Sequence, residues 1–233
     1  MSILDVRNVT VDYNGAIILN DINLRVEREE FVCVLGRNGV GKTTLMRSIM
    51  GLTPPNAGRI LFDGEDIAGR KPYSIARKGI SYVPQGRQIF PDLTVEENLR
   101  AGMLASPGRP RLREELLQYF PFLSEKLKAR AGLLSGGQQQ ILAIARGLAG
   151  NPHMMILDEP TEGIQPSIIK DISHILRNLN VNEKITFLLV EQNIDFAFQL
   201  ASRGYIIEKG RVVSEGTVDV LKEDSIVKSY LII

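Results

Sequence analysis

"FVCVLGRNGVGKTTLMRSIMGL", Phe31 to Leu52, decides the fold. It opens on an unbroken apolar run, as a strand buried on both faces requires. Gly36–Arg37–Asn38–Gly39–Val40–Gly41–Lys42–Thr43 then fits G-x-x-x-x-G-K-[ST] without a mismatch. Glycines let such a loop curl tightly enough to turn its backbone N–H groups inward. A helix predicted from near Lys42 to near Gly51 adds its positive end. The combination suits phosphate. Lys42 is placed to bridge the β- and γ-phosphates of a nucleotide, the Thr43 hydroxyl to hold Mg²⁺, and Thr44 extends the set into the helix. The plain alternative is a glycine-rich turn that binds nothing. A buried strand before and a helix after speak against it.

A phosphate loop with a metal needs a second carboxylate. "MMILDE" supplies it, since a buried strand ends there in Asp158 and Glu159. Open α/β sheets present ligands at the C-terminal ends of their strands, which puts both acids beside the loop. Asp158 is expected to hold Mg²⁺ through water, and Glu159 to polarise a water for in-line attack on the γ-phosphate.

"LSGGQQQILAIARGLAG", Leu134 to Gly150, is a second anion-binding helix end. Ser135 stands at the N-cap position of a helix reaching Ala149. Gly136 and Gly137 cost helix stability in its first turn but admit another group to the backbone. Exposed N–H groups, a hydroxyl and a partial positive charge then face outward.

Around these stretches strands and helices alternate, which implies an α/β sheet covered on both faces. "ILDVRNVTVDY" and "INLRVE" alternate at period two, the pattern of a sheet with one solvated face. "GRILFDG", "ISYVPQ", "HMMILDEP" and "ITFLLVEQ" read as further strands, and "GYIIEKG" with "RVVSEG" as a hairpin before a short C-terminal helix. Between 86 and 146 the character is helical. Thr94 with Glu97 forms a capping-box pattern, and "RLREELLQYFPFLSEKLKAR" has helical spacing broken at Pro121. "PSIIKDISHILRNLN" and "NIDFAFQLA" are helices.

The 233 residues carry a net charge of +1 and sparse aromatics, so no basic surface for nucleic acid is expected. The single Cys33 cannot form an internal disulfide and reads as a small buried hydrophobe. There is no signal-peptide pattern, and no apolar run reaches the ~20 residues that span a bilayer. A membrane role would therefore require a partner.

"LSGGQ" after the phosphate loop and before "ILDEP" resembles the signature of ATP-binding-cassette (ABC) ATPases across essentially the whole chain. The resemblance implies an α/β fold: a P-loop NTPase cassette with an N-terminal antiparallel β region and a helical subdomain insert. The ATPase core would be residues 1–85 and 147–233, and the insert 86–146 would carry the signature. ATP and Mg²⁺ are the implied cofactors. Ser135, Gly136, Gly137 and Gln138 would touch the γ-phosphate of ATP bound by a second subunit. Tyr13 matches the aromatic that stacks on adenine. Gln85 matches the glutamine that reaches Mg²⁺ and the attacking water, and it starts the loop that reports to membrane domains.

Two positions depart from the common pattern. Glu162–Gly163–Ile164–Gln165 replaces S-A-L-D, and Gln192 stands where a switch histidine is usual. "TEGIQPSI", "VEQN" and "GRQIFPDLTVEENL" resemble the ATPases of branched-chain amino-acid and urea-type importers, and "TEGIQPS" the urea or short-amide members. The implied partners are two integral membrane permease subunits, a second ABC ATPase and, indirectly, a solute-binding protein. The implied location is the cytoplasmic face of the cell membrane. A sister ATPase that retains the histidine is favoured over a homodimer. Gln192 joins Glu159 in the implied catalytic set. The alternatives are a soluble non-transport ABC ATPase, which usually carries coiled-coil insertions or tandem cassettes, and a small-molecule P-loop kinase, which has no need of "LSGGQ".

Overall fold

A computed structural model describes residues 2–104, 108–110, 113–223 and 227. Two sheets form. β1 (Ser2–Tyr13), β2 (Ala16–Glu27), β4 (Ala57–Phe62) and the two-residue β5 (Glu65–Asp66) make an antiparallel sheet in the order β2-β1-β4-β5. The second sheet uses β3 (Phe31–Leu35), β6 (Ile80–Val83), β7 (Met154–Asp158), β8 (Thr186–Glu191), β9 (Arg203–Glu208) and β10 (Arg211–Thr217). Its order is β10-β9-β3-β8-β7-β6, parallel except for the β9–β10 hairpin. The fold is α/β with an antiparallel sheet beside a mixed one, as the sequence leads one to expect.

The unbroken apolar runs have a direct cause. Successive residues of a strand point to opposite faces, and both faces of the second sheet are covered. Phe31, Cys33 and Leu35 of β3 join a core with the helices, whereas Val32 and Val34 join a core with the antiparallel sheet and the first helix. β7 and β8 divide in the same way, with Met155, Leu157, Phe187 and Leu189 on the helical side. Phe31 stacks on Phe187 with ring centroids 4.8 Å apart. Cys33 is fully buried there, and burial pushes its thiol up to about 12. β2 alternates buried Ile22, Leu24 and Val26 with exposed Asp21, Asn23 and Arg25, as a half-solvated strand should.

The helices are α1 (Lys42–Ile49), α2 (Pro72–Ala76), α3 (Val95–Met103), α4 (Arg113–Leu117), α5 (Pro121–Ser124), α6 (Gly136–Ala149), α7 (Pro166–Glu183), α8 (Ile194–Leu200) and α9 (Val218–Glu223). Thr94 and Glu97 form the expected capping box at α3. Pro121 does not interrupt one helix but starts a separate short one, because its ring suits a first-turn position and disfavours helix before it. Residues 111–112 of that predicted helical stretch, and 224–226 and 228–233 of the C-terminal segment, lie outside the described residues. α6 runs on to Ala149, so the expected division at 146/147 falls inside a helix. The apolar face of α6 enters the same core as β3 and β7, which ties the helical region to the sheet. The short α2 and β5 carry too few residues for a periodic signal and were not expected.

α3 and α6 approach closely where Gly102 faces the carbonyl of Arg146. A Cβ on Gly102 would lie 2.0 Å from that oxygen. Gly102→Ala must therefore push α3 away from α6 and should cost about 1–3 kcal/mol. The check is the urea unfolding midpoint. An unchanged midpoint would mean the helices separate without penalty.

Candidate active site

Parallel pairing of β3, β8 and β7 brings their C-terminal ends to one edge of the sheet. The segments after Leu35, Asp158 and Glu191 meet there. Gly36–Gly41 forms the loop into α1, and Gly41, at φ 107°, takes the left-handed conformation open to glycine. No side chain caps α1, and its first turn holds no acid. Its leading N–H groups and positive end are thus left for an anion.

Lys42 folds back over the loop. Its ammonium donates to the carbonyls of Gly36 (2.8 Å) and Arg37 (3.1 Å) and pairs with the Glu159 carboxylate at 3.0 Å. The Lys42 side chain is 3% exposed and that of Glu159 is 8%. Glu159 reaches this point through a left-handed turn at φ 48°, with its own N–H bonded to the Val190 carbonyl. That conformation is unusual for a residue with a side chain, and the strain sits directly at the site.

Asp158 accepts from the Thr43 hydroxyl at 3.2 Å and from the Tyr82 phenol at 3.0 Å. Burial pushes its carboxyl up, and the Tyr82 and Thr43 hydrogen bonds draw it back down. Burial and the facing Asp158 also push the Tyr82 phenol up, so Tyr82 stays a donor. Gln85 donates to Glu159 (3.2 Å) and to Glu162 (2.9 Å) rather than to Asp158 or Thr43.

A cavity of about 370 Å³ opens here, lined by Tyr13, Ile18, Asn38, Gly39, Gly41, Lys42, Thr43, Thr44, Gln85 and Glu159. Tyr13, 47% exposed, stands at its rim with its hydroxyl 3.0 Å from that of Thr53. Gly36, Arg37 and Val40 belong to the loop but do not line the cavity. Gln192 is exposed at the end of β8 and lies off the cavity too.

The signature residues are elsewhere. Ser135 caps α6, accepting from the Gln138 N–H, while the Gln138 side chain accepts from the Ser135 N–H at 3.0 Å. None of Ser135, Gly136, Gly137 or Gln138 lines the cavity. Gly137 also has a reason within its own chain, and Gly136 faces a side chain that can shift. A Cβ on Gly137 would press on Ile168 at 2.9 Å, and one on Gly136 would meet the Arg87 guanidinium at 2.8 Å.

Sequence reasoning did not single out Tyr82, Thr161 or Glu191, and marked Glu162 only as part of a departure from the common pattern. Tyr82 carries a faint signal, a polar tip in an apolar strand next to β7. The others become visible only through contacts across loops.

This arrangement, a glycine-rich loop with its lysine, a strand-end Asp–Glu pair and a separate capped helix, is found in known proteins. The family profile described as ABC transporter matches residues 19–162. The chain belongs to that family. It is an ABC ATPase, built to bind ATP and hydrolyse it. It is 40% identical over 211 residues to "High-affinity branched-chain amino acid transport ATP-binding protein BraG" of Pseudomonas aeruginosa, covering 90% of each chain. It is 35% identical over 237 residues to "Lipopolysaccharide export system ATP-binding protein LptB" of Haemophilus influenzae, covering 99% of this chain and 98% of that one. Among solved structures, the dimeric post-hydrolysis state of the ATP-binding cassette MJ0796 bound to ADP and Pi superposes with a TM-score of 0.82. That match has 28% identity and covers 92% and 98% of the two chains.

The donors present in this ABC cassette suit Mg²⁺. Thr43 and Asp158 offer hard oxygens side by side, and among the described residues no cluster of three or more acids, histidines or cysteines forms a dedicated cage. Mg²⁺ is held in that way, by one or two protein oxygens together with substrate phosphates.

Lys42→Ala should abolish tight ATP binding and also strand the buried Glu159 carboxylate, costing about 3–5 kcal/mol of stability. Adding Glu159→Gln should restore most of that stability and none of the binding. Thermal unfolding and fluorescent-nucleotide titration read the two effects separately. Unchanged affinity in Lys42→Ala would refute the loop assignment.

Proposed function

We propose that this ABC ATPase is the energising subunit of a membrane importer and works in a pair of cassettes held on two permease subunits. The observation that carries this reading is a separation. Lys42, Thr43 and Glu159 line one cavity, with Asp158 buried behind Thr43 and hydrogen-bonded to it, while Ser135–Gln138 caps a different helix end away from it. A phosphate-binding helix end that its own nucleotide does not occupy fits a second subunit's ATP.

In the hydrolytic step, Lys42 and the N–H groups of the loop bind the β- and γ-phosphates, and Tyr13 takes the adenine. Mg²⁺, when bound, offsets phosphate charge. Thr43, Asp158 and Gln85 would hold it, with Tyr82 fixing the Asp158 carboxylate. Glu159 polarises the attacking water, and Gln192 donates a hydrogen bond to the γ-phosphate.

A surface groove supports a membrane partner. A groove of about 530 Å³ lies beyond Gln85, bounded by Leu52, Tyr73, Phe90 and Arg146. Leu52, Tyr73 and Phe90 are large exposed apolar side chains, as a docked permease segment would need. No helix among the described residues is long and apolar enough to cross a membrane, so attachment at the cytoplasmic face would be through the permeases. Import of branched-chain amino acids, or of urea and short amides, is supported by the "TEGIQPSI" and "VEQN" segments and by the greater identity to BraG than to LptB. A solute-binding protein would deliver the solute.

Ser135→Arg places a bulky cation at the helix end. It should leave the mutant's own ATP affinity intact while blocking hydrolysis in a wild-type partner, measured in mixed assemblies with one tagged subunit. Loss of the mutant's own nucleotide binding would assign Ser135 to its own site and overturn the pair.

Gln192 gives only a neutral hydrogen bond, whereas a protonated histidine adds charge. Gln192→His should therefore raise the ATPase rate of the isolated chain about 5–30-fold, equivalent to ~1–2 kcal/mol. Pairing with a sister cassette that retains the histidine should raise it as well. A fast wild-type homodimer that Gln192→His does not improve and that drives transport alone would exclude the hetero-pair.

A further inference from the structure

Glu191 ends β8 fully inside the molecule, 2% exposed. Its two oxygens divide their work. Oε1 accepts from the Thr161 N–H at 3.1 Å and from the Thr161 hydroxyl at 2.7 Å. Oε2 accepts from the N–H groups of Gln192 and Asn193, both at 3.0 Å. Only an ionised carboxylate offers four acceptor positions and no donor. Burial works against that charge and pushes the carboxyl up, while the four donors pull it down. Among the described residues no cation pairs with it. Burying this charge is costly, and what the carboxylate provides in return is four acceptor positions that a neutral side chain of the same size does not offer.

The four donors come from two loops. Thr161 lies two residues past Glu159, and its neighbour Glu162 accepts from Gln85. Gln192 and Asn193 open the turn after β8. We infer that Glu191 is a positioning residue for hydrolysis, clasping the loop after Glu159 to the turn that bears Gln192 so that the two hold one geometry. The inference rests on the functional reading given above for Glu159 and Gln192. The hydrogen bonds of this carboxylate go to Thr161, Gln192 and Asn193 and not to the phosphate loop, so ground-state ATP binding is not the expected readout.

Glu191→Gln tests it. The amide keeps size and shape but turns one oxygen into a donor. With its NH₂ towards Gln192 and Asn193, two N–H groups lose their acceptor; towards Thr161, the Thr161 N–H loses its acceptor while the hydroxyl can turn to accept, so either orientation weakens the clasp on one side. Hydrogen exchange should speed up in peptides covering 159–165 or 190–195, with those from β3 and α6 unchanged. kcat should fall about 10–100-fold, the usual size for a lost supporting contact, while ATP affinity by titration stays within about 2-fold. Thr161→Val, which removes one donor from the other side, should lower kcat in the same direction by less. Its effect should largely vanish in the double variant. Unchanged kcat in Glu191→Gln, or a fall matched by equal losses of ATP affinity and thermal stability, would overturn the inference. A wild-type chain without ATPase activity would sink the functional reading instead. Unchanged exchange in both segments would by itself remove the clasp.

Discussion

The buried pair of Lys42 and Glu159 is the contact on which the rest of the site turns. Removing both charges from water costs several kcal/mol each, and only good geometry returns it. Here the ammonium has three donors and three acceptors, two of them loop carbonyls and one the carboxylate. An arriving phosphate competes with Glu159 for a cation already desolvated and already aimed. Exchange of one anion for another at a fixed cation avoids paying desolvation twice. In the proposed cycle this makes nucleotide binding and the release of Glu159 towards water a single event.

Such a pair needs walls, and the sheet supplies them. β3 and β7 are buried on both faces because one core lies beneath the helices and another against the antiparallel sheet. The ends of those strands are thus held by packing on two sides before any loop begins. Hydrogen bonding between adjacent parallel strands then fixes Asp158 opposite Val190, and the Val190 carbonyl takes the Glu159 N–H. The strained turn at Glu159 is over-determined by its surroundings, which is the condition under which strain persists.

The fold was largely legible because its signals are periodic or positional. Apolar runs marked β3, β7 and β8, alternation marked β2, and the phosphate loop announced its own strand and helix. Thr94–Glu97 and Ser135 were readable as caps because capping is local chemistry. What escaped notice was non-local. Nothing in "YVPQ" says that the Tyr82 hydroxyl meets Asp158, since that contact depends on β6 lying beside β7. Nothing in "VEQN" sets Glu191 apart from a surface acid until four donors are found around it. The boundary at 146/147 lies within α6. A change in composition marks where helices begin, but α6 packs along its length into one core shared by the helical region and the sheet.

Gly136 and Gly137 show how one sequence feature can answer two demands. The lack of a side chain at Gly137 is already required inside the chain, where Ile168 occupies the space a Cβ would need, whereas at Gly136 only the end of the flexible Arg87 side chain would have to shift. That weakens any inference from the glycines alone to a partner's nucleotide. The position of the helix end restores it. Ile168 fixes α7 against α6, and the reciprocal bonds between Ser135 and Gln138 fix the first turn, so the exposed N–H groups point in one direction. In the proposed pair of cassettes, a surface that meets a second subunit's phosphate would gain most from being rigid beforehand, because ordering it on contact would consume binding energy. Internal packing of the glycines and external use of the helix end are therefore not rivals. In the proposed pair, the first would prepare the second.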